Sequence, residues 1–432
     1  MINEKIKFID LFCGIGGFRL GLQQALSRNN LIGECILSSD IKKSAIETYQ
    51  LNFEKSNIED VRKINTSELG SFDFLLAGFP CQAFSSAGKR LGFEDTRGTL
   101  FFEVARILND IKPKCFILEN VEGLINHNKG NTLSTILAIL DQIGYDFSWK
   151  LLNSKNFGLA QGRKRIYIAG VRKDLNLNLQ NIFDFSTNFK AVTFKDIRDY
   201  NLETPNSKLN FLLKSSFNNL NLLAGKSIND KRGGDNNIHS WDLGIKGSIT
   251  PKQKELINSL IVKRRNKKWS VENGTSWFDG IPLSLNQIKT FMDYENLEND
   301  LNALTEKGYL KQEYLKDYKI INNVKTKIKR TDLPMGYTLT TGKLSFEFSK
   351  IIDDNNIIPT VVATDSTRLG VIENTGLRKL SHSELKKLFG FPLTYKTNHL
   401  TTEEIFDLFG NSVTVNVIEE IANNLIKLIT KQ

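Results

Sequence analysis

No stretch of this 432-residue chain approaches the unbroken apolar run of ~20 residues that a membrane helix needs. The opening MINEKIKFIDLF lacks the pattern of a signal peptide, so a cytoplasmic protein without a membrane partner is expected. Cysteine and histidine are scarce, with four of each. Cys13, Cys35, Cys81 and Cys115 stand far apart, with no CxxC pair and no HxxxH partner. That spacing argues against a zinc site and a disulfide framework; no metal is expected, and the thiols are left reduced. Internal repeats and low-complexity linkers are also missing.

What is present is the composition of a globular protein, 40% hydrophobic and 25% charged, at a length that favours two domains. Cations outnumber anions, giving a formal charge of +10 and a pI near 9.2. Such an excess suits a polyanionic partner, nucleic acid before others.

Residues 8 to 12, FIDLF, read as a short buried strand followed by CGIGG and an amphipathic stretch through Phe18, Leu22 and Leu26. Strand, glycine turn and helix open a doubly wound, Rossmann-like α/β domain. Gly14, Gly16 and Gly17 let the backbone turn tightly and approach a ligand, which by pattern alone is a dinucleotide, an adenosyl group or nothing. A second strand ends at Asp40, where a carboxylate suits ribose hydroxyls, and a third short element leads to Asp60, suited to an adenine amino group. Both carboxylates serve equally well as helix caps. With no cationic cluster at the turn, an uncharged or cationic nucleoside fits better than a pyrophosphate.

The run FDFLLA (72 to 77) reads as a buried strand, and GFPCQAFSSAGKR (78 to 90) follows it. A thiol after Pro80 at a strand's carboxyl end, under a small-residue loop made basic by Lys89, Arg90 and Arg97, has the setting of a reactive thiolate. The alternative is a small buried hydrophobe. The strand KCFILEN (114 to 120) brings Glu119 to the same rim of a parallel sheet, so Glu119 and Cys81 share one pocket. In QGRKRIYIAGV (161 to 171), Arg163 and Arg165 stand two apart and point to one side, a pair suited to a carboxylate, a phosphate or a base carbonyl.

Past residue 172 the βα alternation stops, and a second domain over 173–377 is expected before the chain returns to the first, over 1–172 and 378–432. Capping boxes predict helices at Thr250 and Ser284, and a third opens at Asp293 and stops at Gly308, followed by strand-like YLKQEYL. The order resembles a winged helix-turn-helix within 250–330, with a helical packing subdomain as the alternative. In the first reading Asn299 and Asn302 meet base edges, and Lys263, Arg264 and Arg265 sit on phosphate.

Taken in order, FIDLFCGIGG, GFPCQAFSSAG, LEN, QGRKR, RKLSHSELKKLFGFP and GNSV closely resemble the bacterial DNA (cytosine-5) methyltransferases of restriction–modification systems. The resemblance spans roughly 6 to 172 and 378 to 430, and the inserted domain stands where that family carries target recognition. It implies S-adenosylmethionine as methyl donor and cytosine in double-stranded DNA as acceptor, with Cys81 as nucleophile and Glu119, Arg163 and Arg165 on the base. It further implies Phe12, Gly14, Gly16, Gly17, Phe18, Asp40, Ile41, Asp60, Val61, Pro80, Leu100, Asn411 and Ser412 around the cofactor, and Gln82, Ser85, Lys89 and Arg97 on DNA. A monomer is implied, associated with the bacterial nucleoid, together with a cognate endonuclease acting on the same sites without necessarily binding. An RNA cytosine methyltransferase and a catalytically silent DNA-binding regulator are the competing readings.

Overall fold

The structure is a computed structural model, and it describes residues 5–53, 58–80, 100–185, 188–275, 280–321, 324–340, 347–363 and 366–430. Two compact units emerge: Met1–Asp199 with Asp353–Thr367 and Leu380–Gln432, and Tyr200–Ile352 with Arg368–Lys379.

The first unit is built on β1 (Lys5–Leu11), α1 (Gly17–Arg28), β2 (Ile32–Ser39), α2 (Lys43–Asn52), β3 (Ile58–Glu59), β4 (Phe74–Ala77), α3 (Leu100–Ile111), β5 (Cys115–Val121), α4 (Asn131–Gln142), β6 (Tyr145–Asn153), β7 (Gln161–Gly162) and β8 (Lys164–Arg172). Seven strands form one sheet in the order β3-β2-β1-β4-β5-β8-β6. The first five of these pair in parallel, while β8 runs antiparallel to both β5 and β6.

Apolar residues cover both faces, as a buried parallel sheet requires. In β4, Phe74 and Leu76 face one core while Leu75 and Ala77 face the other. The first core takes Leu22 and Leu26 of α1 together with Val417, Ile418, Ile421 and Leu425 of the helix Val415–Thr430. The second takes Val104 and Leu108 of α3 and Ile136 and Leu140 of α4. The expected doubly wound α/β architecture is therefore present.

The unit's boundaries differ from those expected. Residues 173 to 199 remain with the first unit because Leu179, Ile182 and Phe183 are buried in its first core. Their irregular spacing gave no periodic signal. A short return, 353 to 367, also belongs here, since Ile358 pairs in parallel with Gln161 of β7.

In the second unit a small sheet joins Ser227–Ile228, Lys350–Ile351, Leu369–Glu373 and Gly376–Arg378. A separate helical core gathers Leu256, Leu260, Trp269, Ile288, Leu301 and Tyr309. Both expected capping boxes form, Thr250 with Gln253 and Ser284 with Gln287. The third helix opens at Leu297 rather than near Asp293, because the Leu297 N–H closes a turn on the Tyr294 carbonyl at 3.1 Å. An extra short helix, Lys268–Glu272, lies between the first two. After Gly308, Leu310–Glu313 pairs antiparallel with Gly336–Leu339, and Lys316–Ile321 with Val324–Lys329.

Candidate active site

The chain leaves β1 for β2 and β3 on one side, then returns to place β4 and β5 on the other. In open α/β sheets a ligand crevice forms at that switch point, beyond the carboxyl ends of the strands. Here the flanking ends are those of β1 and β4, where Leu11 pairs with Ala77. The glycine turn follows the first, and Gly78–Phe79–Pro80 follows the second.

The three glycines do different work. Gly14, at φ +52°, has nothing within 4 Å of where a Cβ would stand, so its outer side is open to a ligand. A Cβ on Gly16 would lie 2.3 Å from the Phe53 ring, and one on Gly17 2.9 Å from both Ser412 Oγ and Val413 Cγ2. These two therefore admit close packing of α2 and of the 410–413 loop.

Asp40 braces the turn. Its carboxylate accepts from the Gly14 N–H at 2.9 Å and from the N–H groups of Ile41 and Lys42, each at 2.8 Å. Ile41 beside it is 73% exposed, an apolar side chain at the mouth of the crevice. Phe12 adopts a left-handed φ of +54° and packs partly against the second core. Phe18 is buried in the first core, with its ring edge 3.3 Å from the position of a Gly78 Cβ. Asp60 is held by Arg62 through paired hydrogen bonds, the shortest 2.6 Å, which bring its carboxyl down to about 2, and Val61 is buried. Pro80 is exposed and Leu100 half-buried. Asn411 is exposed and donates to Asp407, while Ser412 is buried. An open glycine, an exposed apolar side chain and carboxylates, without lysine at the turn, fit a nucleoside with an attached sulfonium.

Cys81, Gln82, Ser85, Lys89 and Arg97 lie outside the described residues. Next to them, Glu119 at the end of β5 stands with Oε2 3.7 Å from the position of a Gly78 Cβ. Arg165 Nε meets Glu119 Oε1 at 3.0 Å, with both side chains nearly buried. Burial pushes the Glu119 carboxyl up, against the opposing pull of Arg165 and Arg163. The expected rim thus holds a protonatable carboxyl and a guanidinium within one hydrogen bond of each other.

Arg163 does not join them as expected. Its guanidinium donates to the carbonyls of Val361 at 2.9 Å, Gly410 at 3.0 Å and Ser412 at 2.7 Å. It lies over the Phe389 ring at 5.3 Å and is 3% exposed. Burial and the neighbouring Arg165 bring it down to about 10. The side chain is spent on backbone carbonyls that only tertiary folding brings together, so it holds the 410–412 loop against the end of the sheet.

Three residues went unassigned in the sequence reading. Asn120 is buried and donates to the Phe79 carbonyl at 2.8 Å, fixing the backbone two residues before Cys81; its place beside Glu119 in LEN was the available signal. Asp10 lies beneath the glycine turn and is wholly buried, with Oδ2 accepting from the Tyr49 hydroxyl at 3.2 Å and Oδ1 without a hydrogen bond. Burial raises its carboxyl to about 7. An acidic residue inside the apolar run FIDLF was the signal. Thr414 bonds the buried Tyr167 hydroxyl, and Tyr167 pairs with Glu119 across the strands; nothing local marks that link.

Among the candidates of the second unit, Lys263 and Asn299 are exposed. Asn302 is exposed but accepts from the Tyr337 hydroxyl at 3.1 Å. Arg264 departs from expectation: it is 8% exposed and bonds the buried Thr338 hydroxyl at 3.1 Å, because its helix turns it inward. Arg265 donates to the Lys231 carbonyl at 3.0 Å.

An open α/β sheet, a ligand-ready glycine turn at its switch point and a buried carboxyl–guanidinium pair on the same rim define a group-transfer enzyme with a nucleoside cofactor. The description of the C-5 cytosine-specific DNA methylase family matches residues 6–427, and the chain belongs to that family. It is 46% identical to the Type II methyltransferase M.NlaIV of Neisseria lactamica over 98% of this chain and 99% of the relative, and 41% identical to M.BanI of Aneurinibacillus aneurinilyticus over 98% and 96%. Its fold resembles the S. pombe Dnmt2 methyltransferase, with a TM-score of 0.53 at 15% identity over 99% of this chain and 100% of that one. The protein is a DNA (cytosine-5)-methyltransferase that takes its methyl group from S-adenosylmethionine. Among the described residues no helix is long and apolar enough to cross a membrane.

Proposed function

We propose that the enzyme methylates one cytosine of a short duplex DNA sequence through a covalent bond from Cys81 to C6 of the flipped-out base. Cytosine C5 is too weak a nucleophile to take a methyl group directly. Addition of the Cys81 thiolate to C6 turns the ring into an enamine and places the electron pair on C5. Glu119 delivers a proton or hydrogen bond at N3 as that charge builds, and Arg165 holds O2. The bound donor would supply an electrophilic methyl group to C5; transfer of the C5 proton to water then returns the electron pair to the C5–C6 bond and expels the Cys81 thiolate, restoring the aromatic ring. A base stacked in a duplex cannot reach such a rim, so flipping is required.

The observation that carries this reading is the 3.0 Å pairing of Glu119 with Arg165 beside Gly78, with the carboxyl pushed up by burial. A buried carboxyl shifted in this direction is suited to meet N3 as charge builds on the ring. Asp40, Asp60, Ile41 and the open side of Gly14 are the residues for the adenosyl moiety; the bound donor supplies an electrophilic methyl group. We further place the enzyme in a restriction–modification system, acting at the nucleoid as a monomer, beside an endonuclease of the same specificity. Support comes from relatives named Type II methyltransferases along nearly the whole chain.

The test is a duplex carrying 5-fluorocytosine at sites located by bisulfite sequencing. It should trap a covalent complex with the wild-type enzyme and none with Cys81→Ser, which still folds and binds DNA. Methyl incorporation into tRNA but not duplex DNA would instead favour an RNA substrate.

A further inference from the structure

The crevice at the switch point is bordered by two segments from opposite ends of the chain, the Asp40–Lys42 segment between β2 and α2 and the 410–412 loop. The second is entered from the helix Thr402–Asn411, which starts on a capping box of Thr401 with Glu404. Ile405, Phe406 and Phe409 are buried and pack that helix down. Asp407 lies on its outer side, and Asp407 and Asn411, four apart, share a face.

One carboxylate ties the two segments together. Asp407 Oδ2 pairs with Lys42 Nζ, and Asp407 Oδ1 accepts from the Asn411 Nδ2 at 3.0 Å. The Lys42 backbone is itself fixed, because its N–H donates to Asp40 Oδ1 at 2.8 Å while Asp40 Oδ2 accepts from the Gly14 N–H at 2.9 Å. Gly14, Asp40, Lys42, Asp407 and Asn411 therefore form a continuous chain of contacts from the glycine turn to the 410–412 loop. Glu404 also lies near Lys42, but its carboxylate is taken up by Thr401, accepting from the N–H at 2.9 Å and the hydroxyl at 2.8 Å.

The chemistry of the contacts gives this chain a direction. An ionised carboxylate only accepts, so Asp407 turns the Asn411 NH2 group towards itself and leaves the amide oxygen, an acceptor, facing away. The side chains of Lys42 and Asp407 are 43% and 32% exposed, so their pairing adds little to the stability of the fold. What it supplies is order: two segments held in register before a ligand arrives lose less freedom when it binds.

We propose that Asp407 is a positioning residue for the methyl donor, a clasp that fixes the Asp40–Lys42 segment to Asn411 and presents the Asn411 amide oxygen to the donor's N–H and O–H groups. The assignment rests on the cofactor reading above and extends it to Lys42 and Asp407, which no sequence motif marks.

The test uses the full chain and the variants Lys42→Ala, Asp407→Ala and the two combined, each titrated calorimetrically with S-adenosylhomocysteine. Lys42→Ala removes one contact and should weaken binding about 2- to 5-fold at low salt, with the loss shrinking as salt rises. Asp407→Ala removes both contacts and should weaken it further. The double variant should bind no worse than Asp407→Ala, because the tie is already broken. In steady-state assays KM for S-adenosylmethionine should rise by the same factor, while kcat and KM for DNA hold. If Asp407→Ala does not fold, Asp407→Asn, which keeps the shape and one acceptor oxygen, takes its place. Unchanged affinity in both single variants, or losses that add in the double variant, overturn the clasp. A fall in kcat at unchanged KM overturns it as a sign of a catalytic role, and a drop in urea midpoint matching the loss of affinity overturns it as a sign of a merely structural one. A wild-type chain that binds neither S-adenosylhomocysteine nor S-adenosylmethionine refutes the cofactor reading itself.

Discussion

Arg163→Ala separates a structural role from a catalytic one. The wild-type guanidinium donates to three buried carbonyls, of Val361, Gly410 and Ser412, that lie 198 to 249 residues further along the chain. A hydrogen bond to a charged group contributes about 1.5–3 kcal/mol, and an orphaned buried acceptor costs on the order of 1–3 kcal/mol. These terms overlap and water relieves part of the loss, so about 3–5 kcal/mol is expected in all. Against a typical domain stability of ~5–15 kcal/mol that is a severe loss. Arg163→Lys keeps the charge and fewer of the bonds, and should fall between. Urea unfolding monitored by circular dichroism gives the stability order; calorimetric titration with S-adenosylhomocysteine reports on the 410–412 loop. The expected result is wild type above Lys above Ala in stability, with cofactor affinity falling in the same order. If the alanine variant unfolds within about 0.5 kcal/mol of wild type and loses only kcat, the loop-holding argument is wrong and the guanidinium acts on the base.

The glycine turn gives a paired test: Gly17→Ala drives a Cβ to 2.9 Å from Ser412 and Val413 and should cost ~1–3 kcal/mol in unfolding experiments. Gly14→Ala meets no atom within 4 Å and should cost only ~1–2 kcal/mol from its left-handed φ, while weakening S-adenosylhomocysteine binding more than Gly17→Ala does. Asp10 is raised from 3.8 to about 7 when folded, so between those values the folded state keeps a proton that the unfolded state has lost. Stability from this group is therefore present below about pH 4 and falls as pH rises towards 7, by at most ~4 kcal/mol; Asp10→Asn should flatten that slope in pH-dependent urea melts, and an unchanged slope would assign the dependence elsewhere. Asn120→Ala frees the Phe79 carbonyl, so kcat should drop at least tenfold with KM for DNA unchanged, and a matching rise in KM would count against a positioning role.

What was legible in the sequence was local. FIDLF and FDFLLA read as strands because a buried parallel sheet needs apolar runs, and CGIGG read as a turn because Gly14 and Gly16 take φ that other residues avoid. Glu119 could be placed on the rim because it lies near the end of a strand whose Leu118 pairs with Ala77, the last residue of β4. The bonds of Arg163 are not legible because its partners are carbonyls at distant positions, which carry no sequence signature. Arg264 looked like its neighbours in KRR; only packing of the helix turned it inward. The extension to Asp199 was hidden because Leu179, Ile182, Phe183 and Phe189 fill gaps at irregular intervals rather than forming a periodic face.

The helix Val415–Thr430 lies on α1, where Ile418 would meet a Cβ on Gly21 at 2.6 Å and Glu420 pairs with Arg28 at 2.7 Å. The glycine turn thus leaves the ribosome about 400 residues ahead of the helix that backs it. During synthesis the second unit emerges in full before the first is complete, so it can fold ahead of the unit that carries the large sheet. The core beneath the sheet is completed only when Val415–Thr430 packs on α1. Removing this helix should unfold the first unit, which contains Val417, Ile418, Ile421 and Leu425 in its core, and so abolish methylation.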